Sequence, residues 1–134
     1  MVIDRWHRYK KMNRKMNNCR FQVDMIENLT KSTYFPFVQA HRGYYAVVNV
    51  RVTNCGPCNK AYPMFEELAA KYADDPRFQF AAFYASKEDA DFVINTLKTS
   101  AVPEFNVYHK NDRIFTVTSP SRFNELEAFL EQLP

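Results

Sequence analysis

Two glycines in 134 residues, Gly43 and Gly56, exclude a glycine-rich or low-complexity chain. No apolar run approaches the roughly 18 residues that a membrane-spanning helix needs, so no membrane span is expected. The basic N-terminus carries no apolar stretch and does not read as a secretory signal. Cysteine is scarce: Cys19, Cys55 and Cys58 make an odd count with one close pair. That argues against a disulfide-stapled secreted scaffold and for a reducing compartment, here taken as the cytoplasm. No second Cys-x-x-Cys and no His-x-x-x-His follows the pair, so a four-ligand metal site cannot be completed nearby and no metal is expected. His7, His41 and His109 have no partner visible in sequence. They read as surface histidines, and a Cys–His hydrolase is rejected.

What is present suits one domain with a real core: 46% of the residues are hydrophobic. The net charge of +3 conceals an asymmetry. Residues 1–20 hold seven basic side chains and one acid, Asp4, whereas the rest holds 11 basic and 14 acidic ones. Trp6, Tyr9, Met12, Met16 and Cys19 recur there at helical spacing. We divide the chain into a basic N-terminal extension, 1–20, and a folded domain, 21–134. The extension has three readings. The favoured one is a solvated tail. The others are a mitochondrial presequence, which would normally be richer in serine, and a contact arm for an anionic surface. Nucleic acid is not the expected partner, and a monomer is.

Phe21–Ile26 alternates like a strand, and Thr30–Ala40 reads as a short or bent helix because of Pro36. Tyr44–Val52 is apolar on both faces, as a central strand should be. Ala61, Met64, Phe65, Leu68, Ala69 and Tyr72 mark a helix over Asn59–Tyr72, with a kink expected at Pro63. Phe78–Ala85 is a third strand, and Ser86–Asp89 resembles a capping box for a helix to about Lys98. Glu104–Tyr108 and Arg113–Thr118 form a hairpin. Ser119-Pro120 opens a last helix lined by Phe123, Leu126, Phe129, Leu130 and Leu133. The order β-α-β-α-β-α-β-β-α predicts an α/β fold, a mixed sheet with helices on both faces.

The dithiol Cys55-Gly56-Pro57-Cys58 stands where the central strand meets the second helix, a redox-site signature. Pro63 follows five residues after Cys58, and Val102-Pro103 precedes a strand. With these features the chain resembles the thioredoxin family over about residues 21–133. The resemblance implies a three-layer α/β/α sandwich, a cis Pro103 facing the dithiol, and substrate backbone pairing at Val102. It also implies that Pro103 keeps metals off the cysteines.

The chemistry follows from the residues. Cys55, at a helix N-terminus, forms a thiolate more readily than a free cysteine and is the expected nucleophile. Cys58, one turn later, resolves the mixed disulfide. Gly56 permits close substrate approach, and Pro57 stiffens the turn. Some positions depart from the family pattern. Asn49 replaces a buried acid and cannot accept a proton at neutral pH. Ala82 replaces the lysine often paired with that acid. Arg51 replaces an aromatic and would favour the Cys55 thiolate if it points that way. Asn54 replaces a tryptophan, and Thr118-Ser119 stands where a glycine often lines the substrate groove. The expected function is a thiol–disulfide oxidoreductase acting on protein disulfides. Its redox-active disulfide is Cys55–Cys58, with no other cofactor, and a thioredoxin reductase or other dithiol reductant supplies electrons. The alternative is a thioredoxin-fold binding module whose basic head carries the interaction.

Overall fold

The computed structural model describes residues 25–41 and 43–134. The extension 1–20, with Cys19 and His7, and most of the expected first strand lie outside the described residues. The elements run β1 (Ile26–Leu29), α1 (Tyr34–Ala40), β2 (Tyr45–Val52), α2 (Gly56–Lys71) and β3 (Phe78–Ala85). Next comes α3, a 3₁₀ turn at Lys87–Asp89 leading into a π-helical turn at Phe92–Thr96. β4 (Glu104–His109), β5 (Asp112–Thr118), a 3₁₀ turn at Pro120–Arg122 and α4 (Phe123–Glu131) complete the chain.

The strands form one sheet in the order β1-β3-β2-β4-β5. β1, β3 and β2 are parallel, while β4 and β5 are antiparallel to their neighbours. β2 therefore has a partner on each side, and Ala46 to Val50 are all at most 1% exposed. Its even and odd positions face different layers. Ala46, Val48 and Val50 pack with Tyr34, Phe37 and Val38 of α1 and Val93 of α3. Tyr45 and Val47 pack with Ala61, Phe65 and Leu68 of α2 and Leu126 and Leu130 of α4. This is the expected three-layer sandwich.

Several boundaries differ from the sequence expectation, each for a local reason. Among the described residues β1 runs Ile26–Leu29, beyond the expected end at Ile26, and only Ile26 and Leu29 of it are buried. α1 begins at Tyr34, so Pro36 falls in the first turn, where its missing N–H has no helical acceptor to leave empty. α2 begins at Gly56 and runs unbroken through Pro63. Ser86 and Asp89 do form a reciprocal capping box, but it opens a 3₁₀ turn. The polar hairpin turn uses left-handed φ at Lys110 (52°) and Asn111 (71°), which joins adjacent antiparallel strands tightly. His41 and His109 are half-buried rather than surface groups. His41 Nδ1 lies 2.8 Å from the Phe37 carbonyl, and His109 stacks on Tyr45.

One layer contains a polar string. The Tyr34 and Tyr108 hydroxyls are 2.8 Å apart, and burial pushes both phenols above their ordinary range, so both stay protonated. Farther along β4 the Glu104 carboxylate is 3% exposed. It accepts from Thr99 Oγ1 and Asn106 Nδ2 and lies 3.8 Å from Arg113.

Phe65 anchors α2 to the sheet: fully buried, it meets Phe80 at 5.7 Å and Phe105 at 5.6 Å between ring centres. Phe65→Ala is expected to lower the unfolding free energy by about 3–5 kcal/mol, measured by urea denaturation. A loss under about 1 kcal/mol would contradict this packing.

Candidate active site

β2 ends at Val52, and Asn54 turns the chain with φ 55°. Asparagine tolerates that left-handed conformation better than most residues, which gives Asn54 a structural reason beside its expected role with substrate. Cys55 returns to an extended backbone and becomes the N-cap of α2. Pro57 falls in the first helical turn, where no backbone donor is required of it.

The two cysteines are joined as a disulfide, with their Cα atoms 5.2 Å apart. Cys58 is 1% exposed, whereas Cys55 is half-buried. The Cys58 N–H donates to Cys55 Sγ at 3.1 Å. Cys55 is thus the sulfur that an incoming disulfide can reach, and it already sits on a helix N-terminal donor. Gly56 and Pro57 are exposed, and a Cβ on Gly56 would meet nothing within 4 Å. Internal packing does not demand glycine there, which leaves the outer side open for approach.

The Val102-Pro103 peptide is cis. Pro103 is buried, and its carbonyl accepts the N–H of Ser119 at 3.2 Å. Ser119 has φ 81°, a conformation that favours glycine, and its hydroxyl caps the turn at Ser121. Thr118 pairs in register with Glu104. Val102-Pro103 and Thr118-Ser119 therefore form one wall. β2 is tied to it: Asn49 Nδ2 donates to the Glu104 carbonyl at 3.1 Å and to the Val50 carbonyl at 3.4 Å. Ala82 lies opposite Asn49 on β3, so no charged partner stands at that register. Asn49, 1% exposed, is a buried amide acting as a donor.

Arg51 follows two residues later on the same face. Its guanidinium lies 4.2 Å from the Tyr62 ring and 4.7 Å from the Tyr84 ring. It donates to Asn59 Oδ1 at 2.9 Å. Asn59, Tyr62 and Tyr84 were not singled out from sequence. Tyr62 stands one turn after Cys58, and Tyr84 pairs with Arg51 when β2 and β3 are aligned at their ends, Val52 with Ala85. That alignment is the signal that would have found it. Burial, then the nearby Glu66, raises the Tyr62 phenol, partly offset by Arg51. Among the described residues no group of three histidine, cysteine or acidic side chains gathers to hold a metal. Nor is any described helix long and apolar enough to cross a membrane.

A sequence model of the family described as thioredoxin matches residues 25–132. The chain belongs to the thioredoxin family. Its thioredoxin domain resembles the chloroplastic F-type thioredoxin of Pisum sativum, with 27% identity over 81% of this chain and 57% of that protein. The protein of the same description from Spinacia oleracea is 27% identical over 79% and 54%. The chain thus spans little more than half the length of these curated relatives. Crystalline thioredoxin f from spinach chloroplast, short form, superposes with a TM-score of 0.69 at 26% identity, covering 80% of this chain and 92% of that one. A thioredoxin f2 solved in complex with ferredoxin:thioredoxin reductase shares the fold, with a TM-score of 0.70 at 24% identity over 80% and 93%.

The amide at residue 49 is expected to matter through its donor. Asn49→Asp removes it and turns a carboxylate oxygen towards the Glu104 carbonyl. Burial would raise the folded-state pKa of the new carboxyl, so the cost vanishes where the group is protonated in both states and grows as pH rises. We expect a loss of about 2 kcal/mol at pH 8 and a smaller one at pH 5, read by urea unfolding at both. Equal losses would exclude charge burial as the cause.

Proposed function

We propose that this chain is a dithiol oxidoreductase that reduces protein disulfides through Cys55 and Cys58. The observation that carries the proposal is the paired, unequal exposure of two bonded cysteines at the start of α2. In the reduced protein the Cys55 thiolate attacks one sulfur of a substrate disulfide. That S–S bond breaks, a Cys55–substrate bond forms, and the departing substrate sulfur takes a proton. Cys58 then loses its proton and attacks Cys55 Sγ. The mixed disulfide breaks, the second substrate thiol leaves, and the Cys55–Cys58 disulfide forms. Two electrons have moved to the substrate.

The N–H of Cys58 is positioned to stabilise the first thiolate. The proton of Cys58 has no acceptor at residue 49, because the Asn49 amide donates to carbonyls and is not a base. Solvent takes that role in our reading, and turnover should therefore rise with pH as hydroxide becomes available. A thioredoxin reductase or another dithiol reductant restores the thiols. The f2 relative was crystallised with such an enzyme, and a reductase of that kind is the first partner to test. The Val102-Pro103 and Thr118-Ser119 wall, with Asn54, is our candidate contact for the substrate chain.

Trapping distinguishes the two sulfurs. Cys58→Ser is expected to accumulate stable mixed disulfides with target proteins, and Cys55→Ser none, as seen on non-reducing gels. Trapping by Cys55→Ser instead would reverse the assignment. Wild-type protein that fails to reduce insulin with dithiothreitol as donor would overturn the oxidoreductase reading in favour of a binding module.

We read residues 1–20 as an appendage to this chemistry, on the strength of their charge asymmetry. A chain beginning at Arg20 is expected to keep its insulin-reducing activity and to lose any salt-sensitive binding to polyanions. A large fall in melting temperature on truncation would instead make the segment part of the fold.

A further inference from the structure

The Arg51 side chain is not used by the mechanism above, and its surroundings are unusual for packing alone. Tyr62 and Tyr84 cover the guanidinium at 4.2 and 4.7 Å. One terminal nitrogen reaches Asn59 Oδ1, while the buried Nε has no hydrogen-bond partner. Among the described residues no carboxylate forms an ion pair with Arg51. A neutral side chain could fill the space between two tyrosines without leaving a desolvated, unsatisfied donor. A cation kept there without an anion points to an anion that arises during the reaction.

The anion that starts the reaction is the Cys55 thiolate; the Cys58 thiolate forms only afterwards, during resolution. Arg51 is linked to Cys55 by a short path. Its guanidinium donates to the Asn59 side chain, and the Asn59 N–H donates to the Cys55 carbonyl at 3.1 Å. The antiparallel register of β2 and β4 pairs Val50 with Glu104. Arg51 and Pro103 are the next residues along the two chains at that end of the sheet.

We propose that Arg51 is a positioning residue whose charge, held in place by Tyr62, Tyr84 and Asn59, stabilises the Cys55 thiolate and with it the reduced form of the dithiol. Of the neighbouring charges, none forms an ion pair with it among the described residues. Lys60 is exposed on α2, and Glu66 acts on Tyr62. Glu104 turns its carboxylate into the opposite layer, towards Thr99 and Asn106. Arg122 and Glu125, beside the 3₁₀ turn that packs on α2, pair with each other. With a neutral amide at residue 49 and a cation at 51, the strand end presents net positive charge to the nucleophile. The field therefore favours the thiolate and opposes its reoxidation. The consequence for turnover rests on the oxidoreductase reading, but thiolate formation can be measured without it.

The test is the pH dependence of iodoacetamide alkylation at Cys55 in the reduced full chain, followed by mass spectrometry of the Cys55 peptide so that Cys19 does not interfere. Arg51→Met keeps an apolar stem between the rings and removes the charge. Arg51→Gln also keeps an amide donor for Asn59. Both are expected to raise the alkylation midpoint by about half a unit to one unit, and Arg51→Lys to stay close to wild type. In equilibrium with glutathione, the two neutral variants should favour the disulfide by about threefold to tenfold over wild type. An unchanged midpoint in folded Arg51→Met or Arg51→Gln overturns the proposal, whatever the melting temperature does. So does an Arg51→Lys shift as large as theirs, which would assign the effect to packing. Failure of wild-type insulin reduction, with the midpoints moving as expected, would remove the oxidoreductase reading and leave this one standing.

Discussion

Burial of β2 on both faces is the constraint from which the rest of this protein follows. With hydrogen-bonded strands on either side and helices above and below, its residues have no solvent-facing direction until Arg51. Five consecutive positions, Ala46–Val50, must therefore be apolar or fully satisfied, and Asn49 is the one polar exception. It is tolerated because its amide spends both hydrogens on carbonyls, one its neighbour's and one on β4. The same burial forces the chain to leave the sheet abruptly. The Asn54 turn and the N-terminus of α2 then fall at the C-terminal end of the central strand, where a dithiol is reachable from outside yet has one sulfur sealed beneath it.

The two faces of the sheet carry different charged groups at this end. β4 places its odd residues, Phe105 and Val107, under α2 and α4, and its even residues, Glu104, Asn106 and Tyr108, in the other layer. The one buried carboxylate of the described core is thus separated from the dithiol by the sheet itself. There it is held by a hydroxyl, an amide and a guanidinium. On the dithiol side β2 contributes Arg51. Period-two alternation on two adjacent strands is enough to put Glu104 and Arg51 on opposite faces.

Much of this was legible in sequence because it is local. The apolar runs Tyr44–Val52 and Phe78–Ala85, the Ser86–Asp89 box and the helix face through Phe65 and Leu68 each depend on residues a few positions apart. So does the dithiol's place at a helix start. The parts that escaped are relations between distant segments or irregular ones. β1 is an edge strand whose described residues, Ile26–Leu29, have a buried-exposed-exposed-buried pattern, so period two cannot find its end. The π-helical turn at Phe92–Thr96 has no periodic signature of its own. Arg51 was recognised as a departure, but its cage needs one tyrosine from α2 and one from β3, brought together by register. The burial of Glu104 likewise depends on Thr99 and Arg113, outside its own strand.

Seen together, the departures at residues 49, 51 and 82 form one change rather than three. A buried acid on β2 would need a compensating cation, and the residue across from it is Ala82, which offers none. An acid at 49 would also lie two residues from Arg51 on the same face, and its charge would offset part of the field that Arg51 casts towards the dithiol. An amide at 49 removes the need for a lysine at 82 and leaves Arg51 without a competitor for its charge. If these residues act as proposed, the site would hold a standing positive field in place of an internal base. Such an arrangement would weaken proton removal from Cys58 and strengthen the Cys55 thiolate. Attack on a substrate disulfide would thereby be favoured over resolution of the mixed disulfide, and the balance between those two steps would be set by what β2 carries where it emerges from the core.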